Sequence, residues 1–377
     1  MHSFDNSNVK KRKELGWFIT TNIEKWGCEI EYIEARSPLL ALFFKIKSAA
    51  LNKLGKKTNW FREPFLLKRL ARNAEKKLRS SDCQAVFSFG SIPISFIATE
   101  KPIIFWTDAA FASLLGRHPH MSGLTEKAVA KGNLIEHDAF KRASRIIFTS
   151  GWAADQARDF YKIPDEKIKI ATFGPNMAGI PSKEYIDNVI DGRSRKEIHF
   201  LWIAVNWELK DGPRALAITN ELNKSIKTTL HVVGVPKTVA TSDASNAVFY
   251  GFLSKDDPAQ ERRLAELFAK CHFLVHPTKF DTLGQVIIES NSYGLPAITH
   301  EVGGVPEVVR HGVNGFIYQP GEAVETIAKE ILYVYQDAEA YRALCKNARA
   351  DYEERTSWGA ATKKVVCWIN EAIDQSP

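Results

Sequence analysis

The sequence predicts an α/β protein made of two successive domains, each with a parallel β-sheet. The first observation is that short apolar segments alternate with longer amphipathic stretches, which is typical of parallel strands covered by helices. The second is that this alternation pauses once, at 177–197, and then restarts. The third is the length of 377 residues, which suits two domains of roughly 150 to 200 residues each.

Four apolar segments of the first half are predicted as strands, because they are rich in β-branched and aromatic residues and end at turn residues. They are 84–89, 102–107, 144–150 and 167–173. Between them, the polar and periodic stretches 126–142 and 152–161 are predicted as helices. The first domain is therefore expected over 1–176.

The second half repeats this organisation after a polar segment. Segment 177–197 contains several glycine and proline residues, carries no clear apolar periodicity and is predicted as a linker. Strands are predicted at 199–205, 229–233, 247–250, 272–276 and 296–299, with helices at 213–223 and 260–269 between them. A second domain is therefore expected over 198–355.

The composition excludes several classes of protein. Hydrophobic residues make up 45% and charged residues 25% of the chain, which is average for a globular protein and excludes a disordered or collagen-like chain. The apolar run at 38–44 is far too short to span a membrane, and no signal peptide is visible at the start. The five cysteines never form a C-x-x-C pair, so a reduced, cytoplasmic protein without a thiolate zinc site is expected.

Positive charge is concentrated in one segment. The chain has 51 Lys and Arg against 44 Asp and Glu, a net charge of +7. Residues Lys45–Arg79 alone hold twelve Lys and Arg against two Glu, a local charge of +10, so the rest of the chain sums to −3. Three explanations are open: a basic amphipathic helix on an anionic bilayer, an ordinary domain helix with a solvated basic face, and nucleic-acid binding. The arrangement of the aromatic residues does not favour the last, so no nucleic acid is expected.

The residues that can carry chemistry in the second half lie between a strand and a helix. The predicted strand 272–276 runs into loop 277–284, and residues 285–293 are predicted as a helix that ends at Gly294. Thr282 and Gln285 have the spacing of a capping box, which predicts the helix N-terminus near Leu283. Open backbone N–H groups at the carboxyl end of a parallel strand form a site for anionic ligands.

Two carboxylates, Asp281 and Glu289, stand eight residues apart across this junction. Asp281 is expected at the mouth of the loop, and Glu289 about one turn into the helix. Either they bind a ligand, or they only stabilise the helix dipole, as acidic groups near a helix start commonly do.

The segment that contains these carboxylates resembles a known family. Residues 281–289 (DTLGQVIIE), followed by 294–298 (GLPAI), 303–307 (GGVPE) and 312–315 (GVNG), are similar to the donor-binding signature of retaining glycosyltransferases of family 4, also called glycosyl transferase group 1. The family pattern is E-x7-E, and Asp281 stands where its first glutamate usually lies. The resemblance covers nearly all of the second half and, more faintly, most of the first.

The resemblance implies a GT-B fold, in which two Rossmann-like domains with parallel sheets face a central cleft. The first domain would bind the acceptor and the second the donor, and the C-terminal helix 356–377 would pack back on the first domain. The implied activity is the retaining, metal-independent and cofactor-free transfer of a hexose from a nucleotide-diphosphate sugar. The acceptor would be a hydroxyl of a lipid-linked compound, a saccharide or a small molecule, in polysaccharide or glycolipid biosynthesis.

The resemblance also implies roles for residues that match the family motifs. Asp281 would hold the hydroxyls of the donor sugar, with the amides of Leu283 and Gly284 close by. Glu289 would accept hydrogen bonds from the ribose hydroxyls, and Lys210 would contact the diphosphate and act in catalysis.

Further positions complete the implied donor site. Thr282 belongs to the loop of the signature, and Phe252 and Leu253 would pack against the nucleobase. Gly303 and Gly304 would let the backbone approach the phosphates, unless they only form a turn.

In the first half, Asp108 follows a predicted strand, where the resemblance implies an acceptor-side base or contact. The alternative is that Asp108 caps a following helix. His118, His120 and His137 are also candidates, although histidines without carboxylate partners are more often plain polar surface.

The chain departs from the family pattern in three ways. The first strand and glycine-rich loop of the N-terminal domain are expected to be missing, since polar residues 4–14 precede a helix at 15–27 and a second strand at 28–33. An arginine that often precedes the lysine is absent, and Asp281 replaces a glutamate. The alternative function is therefore a catalytically impaired protein that binds a nucleotide sugar or a partner without turnover. The expected location is the cytoplasm, at the inner membrane face if Lys45–Arg79 binds lipid.

Overall fold

A computed structural model describes residues 14–240 and 244–376 of the chain. The chain divides into two compact units: the first runs up to Thr172 and resumes at Ala361, and the second is Phe173–Ala360. Each unit contains one parallel β-sheet with helices, so the predicted α/β class is confirmed. The predicted boundaries were 176 and 356.

The first unit has four parallel strands in the order β1-β2-β3-β4. They are β1 Val86–Phe89, β2 Ile103–Thr107, β3 Arg145–Phe148 and β4 Ile168–Ile170. The helices up to β4 are α1 Leu15–Glu24, α2 Pro38–Lys53, α3 Pro64–Arg79, α4 Phe111–Leu114, α5 Glu126–Arg142 and α6 Gly151–Tyr161. Every residue of β2 is buried, because this inner strand is covered on both faces and is apolar almost throughout.

Segment 28–33 is not the strand that the sequence predicts. Its residues alternate between partly buried and exposed up to the buried Ile33, but the segment has no regular secondary structure. A strand needs a neighbouring strand for its backbone hydrogen bonds, and no strand precedes β1 in the described part of the chain. The predicted loss of the first strand and its glycine loop falls mainly on residues 1–13, outside the described residues.

The second unit has six parallel strands in the order β10-β9-β8-β5-β6-β7. They are β5 Ile198–Ile203, β6 Thr228–Val233, β7 Ala247–Phe249, β8 Phe273–His276, β9 Ala297–His300 and β10 Gly315–Tyr318. The chain winds outward from β5 to β7, crosses over, and winds the other way from β8 to β10. The neighbours β5 and β8 therefore form a topological switch point, and ligands bind beyond the carboxyl ends of such strands.

Six helices of the second unit accompany this sheet, and a seventh leads out of the unit. They are α7 Lys183–Gly192, α8 Gly212–Asn223, α9 Pro258–Lys270, α10 Gln285–Ser292, α11 Val324–Gln336, α12 Ala338–Asp351 and α13 Trp358–Asp374. From Ala361 onward α13 belongs to the first unit, where Thr362 accepts a hydrogen bond of 3.0 Å from the indole of Trp26. None of the helices in 14–240 and 244–376 is long and apolar enough to cross a bilayer.

The predicted linker 177–197 is wrong over half its length, because it contains α7. The helix begins at an N-cap, Ser182, whose side chain accepts a hydrogen bond from the amide of Tyr185. Only Ile186 and Ile190, one turn apart, are buried. Two apolar positions in a polar segment are too few to reveal a helical period.

Candidate functional site

The switch point brings together the loop after β5 and the loop after β8. The amide of Lys279 donates to the carbonyl of Leu209 at 2.9 Å, which ties the two loops to each other. Lys210 lies on the first loop, and its carbonyl accepts a hydrogen bond of 3.2 Å from the buried indole of Trp202. Asp281 lies on the second loop. The sheet topology therefore places both residues at the same edge of the sheet.

The carboxylate of Asp281 is the centre of this arrangement. Its Oδ2 accepts from Lys210 Nζ at 2.6 Å and from His276 Nε2 at 3.3 Å. Its Oδ1 accepts from the amides of Gly284 at 3.0 Å and Leu283 at 3.3 Å. Asp281 thus joins the β5 loop, the end of β8 and the start of α10, while 18% of its side chain stays exposed.

The charges around Asp281 stabilise its ionised form. Burial alone would raise the pKa of Asp281, but the hydrogen bond from His276 and the charge of Lys210 outweigh it and hold this pKa well below its usual range. Burial lowers the pKa of His276, so this imidazole is neutral at pH 7 and its proton lies on Nε2, facing the carboxylate. Its Nδ1 is buried and has no hydrogen-bond partner in the described chain. In this cluster around Asp281, the charged groups are therefore Lys210 and Asp281, and His276 is neutral.

The start of α10 differs from the predicted capping box. The helix begins at Gln285, and its N-cap is Gly284, with a left-handed backbone at φ +85° and no side chain. This turn brings the carboxylate of Asp281 to the amides of Leu283 and Gly284, which precede the helix. The Gln285 side chain donates to the carbonyl of Gly174 instead of reaching back to a cap.

The second carboxylate, Glu289, lies one turn into α10 as predicted and is buried. Its Oε1 forms an ion pair with Lys255 Nζ, and that ammonium also donates to the carbonyl of Asn176 at 2.9 Å. Lys255 comes from the loop after β7, so Glu289 connects α10 to a third loop at this end of the sheet. The side-chain Oδ1 of Asn176 is buried there without a hydrogen-bond partner among the described residues.

Gly303 and Gly304 form a turn, and this turn lies against the backbone of Asp281. The amide of Gly304 donates to the Asp281 carbonyl at 3.1 Å. Gly303 has φ +53°, and a Cβ there would lie 2.0 Å from the same carbonyl oxygen, so only glycine fits. Contact of these glycines with phosphate remains a prediction.

The structure places Phe252 and Leu253 directly after β7, on the edge of the sheet. Phe252 is exposed and Leu253 is half-buried, and Lys255 follows two residues later. The predicted nucleobase segment and the lysine that pairs with Glu289 are thus parts of one loop. Packing against a base remains a prediction.

Asp108 lies in the first unit, immediately after β2, and it is not the N-cap residue of the next helix. The next helix, α4, has Ala110 as its N-cap and no side-chain cap. The other first-half candidates are local surface features: His118 Nδ1 accepts from the amide of His120 at 3.3 Å, and His137 is exposed. An acceptor-side role of Asp108 remains a prediction.

Sequence reasoning missed two residues of the site, His276 and Lys255. His276 could have been suspected, because a buried histidine at the end of an apolar strand needs a hydrogen-bond partner. No local pattern marks Lys255, since its partner is 34 residues away on another element.

The chain as a whole is similar to solved glycosyltransferase structures. The crystal structure of a glycosyltransferase from Rickettsia africae aligns with a TM-score of 0.64 and 14% identity, covering 96% of this chain and 96% of that one. HepE of Anabaena, solved in complex with UDP and glucose, aligns with a TM-score of 0.57 and 17% identity over 93% of this chain and 89% of that one. These likenesses define the fold, which is GT-B with two Rossmann-like α/β domains.

Sequence comparison matches part of the second unit to a family model. Residues 244–351, which contain Asp281 and Glu289, match the family model of glycosyl transferases group 1. The sulfoquinovosyl transferase of Arabidopsis thaliana is 32% identical over 122 residues, which is 32% of this chain and 22% of that relative. The match thus spans about a fifth of the relative's length. The segments that resemble a donor-binding signature, 281–315, lie within the matched region.

Proposed function

We propose that this protein is a glycosyltransferase that moves a hexose from a nucleotide-diphosphate sugar to a hydroxyl acceptor, with retention of configuration and without a metal ion. The observation that carries the proposal is the Lys210–Asp281 pair at the switch point, with Glu289 one turn into the helix that follows. A cation, a set of backbone amides and a buried carboxylate at this edge suit a ligand with phosphates and a ribose.

Lys210 offsets the charge of the leaving diphosphate in this proposal. Its side chain is 19% exposed, and in this proposal phosphate oxygens reach its ammonium while it stays near Asp281. As the bond between the sugar and the diphosphate breaks, negative charge grows on the phosphate and positive charge on the sugar. Lys210 stabilises the first and the ionised Asp281 the second, and both are already in place before the reaction.

Glu289 binds the ribose of the donor in this proposal. Lys255 keeps one carboxylate oxygen oriented, and the ribose hydroxyls donate to the same carboxylate. Hydrogen bonds to a charged group contribute roughly 1.5–3 kcal/mol each. The exposed Phe252 nearby offers a ring for the base.

The experiment is a turnover assay on the full chain. The first donor to test is UDP-glucose, since HepE was solved with UDP and glucose. Release of UDP that rises when an acceptor is added supports transfer, and the proton NMR coupling of the new anomeric centre distinguishes retention from inversion. The rate should be unchanged in EDTA, and a rate lost in EDTA and restored by Mg²⁺ or Mn²⁺ would contradict metal independence.

A second candidate function, binding without turnover, is favoured by the engagement of Asp281. Its carboxylate accepts hydrogen bonds from four donors, and it replaces the longer glutamate of the family pattern. Nucleotide binding without UDP, GDP or ADP release from any donor would support this candidate. Steady release with an acceptor present would exclude it.

A further inference from the structure

The basic segment Lys45–Arg79 includes the second half of α2 and all of α3, and these two helices face their surroundings in opposite ways. Helix α3 buries its leucines in the first unit and exposes its cations, as an ordinary domain helix does. Helix α2 buries only Phe44 and Ser48 of its 16 residues. Of the explanations that the sequence left open, the ordinary domain helix with a solvated basic face therefore describes α3 but not α2.

The exposed side of α2 is apolar. Leu39 is 84% exposed, Phe43 58% and Ile46 62%, and Leu42 is exposed beside them. These residues recur at steps of three and four, so they form one stripe along the helix. We call this stripe the apolar face of α2. Such a stripe normally faces a core, but no described residue covers it.

Cations surround the apolar face. Lys45 and Lys47 flank the stripe on α2, and both are exposed. Across an open groove of about 550 Å³, α3 presents Phe65, Lys68 and Arg72 to Leu39 and Phe43. In the described chain none of these lysines and arginines forms an ion pair with an acid.

We propose that the apolar face of α2 and the cations around it bind an anionic bilayer, with α2 lying in the membrane interface. The partner must supply an apolar layer and negative charge side by side, and an anionic bilayer does both. Leu39, Phe43 and Ile46 would enter the acyl boundary, and the lysines and arginines would meet the phosphates. In this proposal the association is peripheral, because α2 lies along the surface of the bilayer. This inference goes beyond the proposed sugar transfer and does not depend on it.

The test is co-sedimentation of the full chain with vesicles of phosphatidylcholine, with and without phosphatidylglycerol. We expect binding only to the vesicles with phosphatidylglycerol. Replacing two apolar residues in L39S/F43S should weaken binding at least about tenfold. Each cation removed in K68Q/R72Q should weaken it about fivefold.

Control variants at exposed residues of other helices distinguish loss of the proposed membrane-binding surface from the effect of removing any exposed aromatic or charged side chain. Phe160→Ser removes an aromatic side chain that is 60% exposed on α6, against 58% for Phe43, and should leave binding unchanged. Lys127→Gln removes an exposed cation on α5 and should also have no effect. All variants change exposed residues, so their thermal melting should match that of the wild type.

Four results with vesicles or with the free protein would overturn the inference, and so would one with DNA. The four are no binding to either vesicle, equal binding to both, binding by L39S/F43S equal to that of wild type, and a dimer that L39S/F43S dissociates without any vesicle binding. The last would assign the apolar face to a second copy of the chain. Tighter binding to single-stranded DNA than to vesicles, lost in K68Q/R72Q, would assign the cations to nucleic acid.

Discussion

Asp281 and Glu289 lie eight residues apart, and each is paired with a lysine, yet they are held differently. Asp281 accepts hydrogen bonds on both oxygens and connects three elements of the second unit. Glu289 is more deeply buried but holds a single lysine from one loop. The difference teaches that the first carboxylate maintains the shape of the site, whereas the second is available to recognise a ligand. The predictions below test this difference.

Asp281→Asn should have the largest effect. Lys210 keeps its bond of 3.0 Å to the Phe280 carbonyl, but the buried His276 and the amides before α10 lose the anion that they share, and breaking such a network costs about 3 kcal/mol of stability. Turnover should fall by about two orders of magnitude or more, because the site also loses its negative charge. Thermal unfolding and the UDP-release assay measure the two effects.

Asp256→Asn is the matched control for Asp281→Asn, because Asp256 is an exposed carboxylate in the loop after β7. It should change neither stability nor turnover. Wild-type stability in Asp281→Asn would contradict the structural role assigned to Asp281.

Lys210→Gln should come next. It also breaks the pair with Asp281 and so lowers stability, but its effect on ligand binding should be confined to the diphosphate. Losing a charged hydrogen bond to phosphate costs roughly 1.5–3 kcal/mol, so UDP affinity should fall about ten- to hundredfold. The affinity for uridine should not change. Calorimetry with both ligands makes the measurement, and an equal loss for uridine and UDP would argue against a phosphate contact.

Glu289→Gln should weaken uridine and UDP equally, because it removes the acceptor of the ribose hydroxyls. The expected loss is again about ten- to hundredfold in affinity, while the melting temperature should stay close to that of wild type. Lys255 keeps its bond to the Asn176 carbonyl and has partial access to water, so little stability is lost. A large drop in the melting temperature would show that Glu289, like Asp281, maintains the structure of the site. It would contradict the different roles assigned to the two carboxylates.

Acid should destabilise the second unit through its buried histidines before it affects Asp281. Burial lowers the pKa of His300 to about 4, and that of His231 to about 3. Below about pH 6.5 the unfolded chain binds these protons and the folded unit does not, so stability falls as the pH drops toward 4. The low pKa of Asp281 contributes stability that is lost only below about pH 4.

Melting curves between pH 7 and pH 5 check this effect. Each histidine contributes a slope of at most about 1.4 kcal/mol per pH unit. His300→Gln should make the pH dependence shallower. An unchanged slope in His300→Gln would show that other groups titrate.

The sequence predicts most of the sheets because their strands are continuous apolar segments that stand out from polar surroundings. Helix α7 was missed because only Ile186 and Ile190 face the core. Segment 28–33 has strand-like alternation but no neighbour, and pairing is not visible in a single segment.

The candidate site, like the fold, was predicted from the sequence only in part. Asp281 and Glu289 lie in one continuous segment of the sequence, so their place in the site could be predicted from that segment alone. Their partners His276, Lys210 and Lys255 come from three different strand ends, and only Lys210 was found, through its own motif. The helix begins at Gln285 rather than near Leu283, because a left-handed turn at Gly284 precedes it and brings Asp281 to the helix start.

The most direct test of the donor site is calorimetric titration of UDP, GDP and ADP into the full chain. Glu289→Gln is the test variant, and Glu325→Gln, an exposed carboxylate on α11, is its control. The account predicts that one of the three nucleotides binds, that Glu289→Gln weakens it about ten- to hundredfold, and that Glu325→Gln does not. Binding of none of the three, or equal affinity in Glu289→Gln and the wild type, would contradict it.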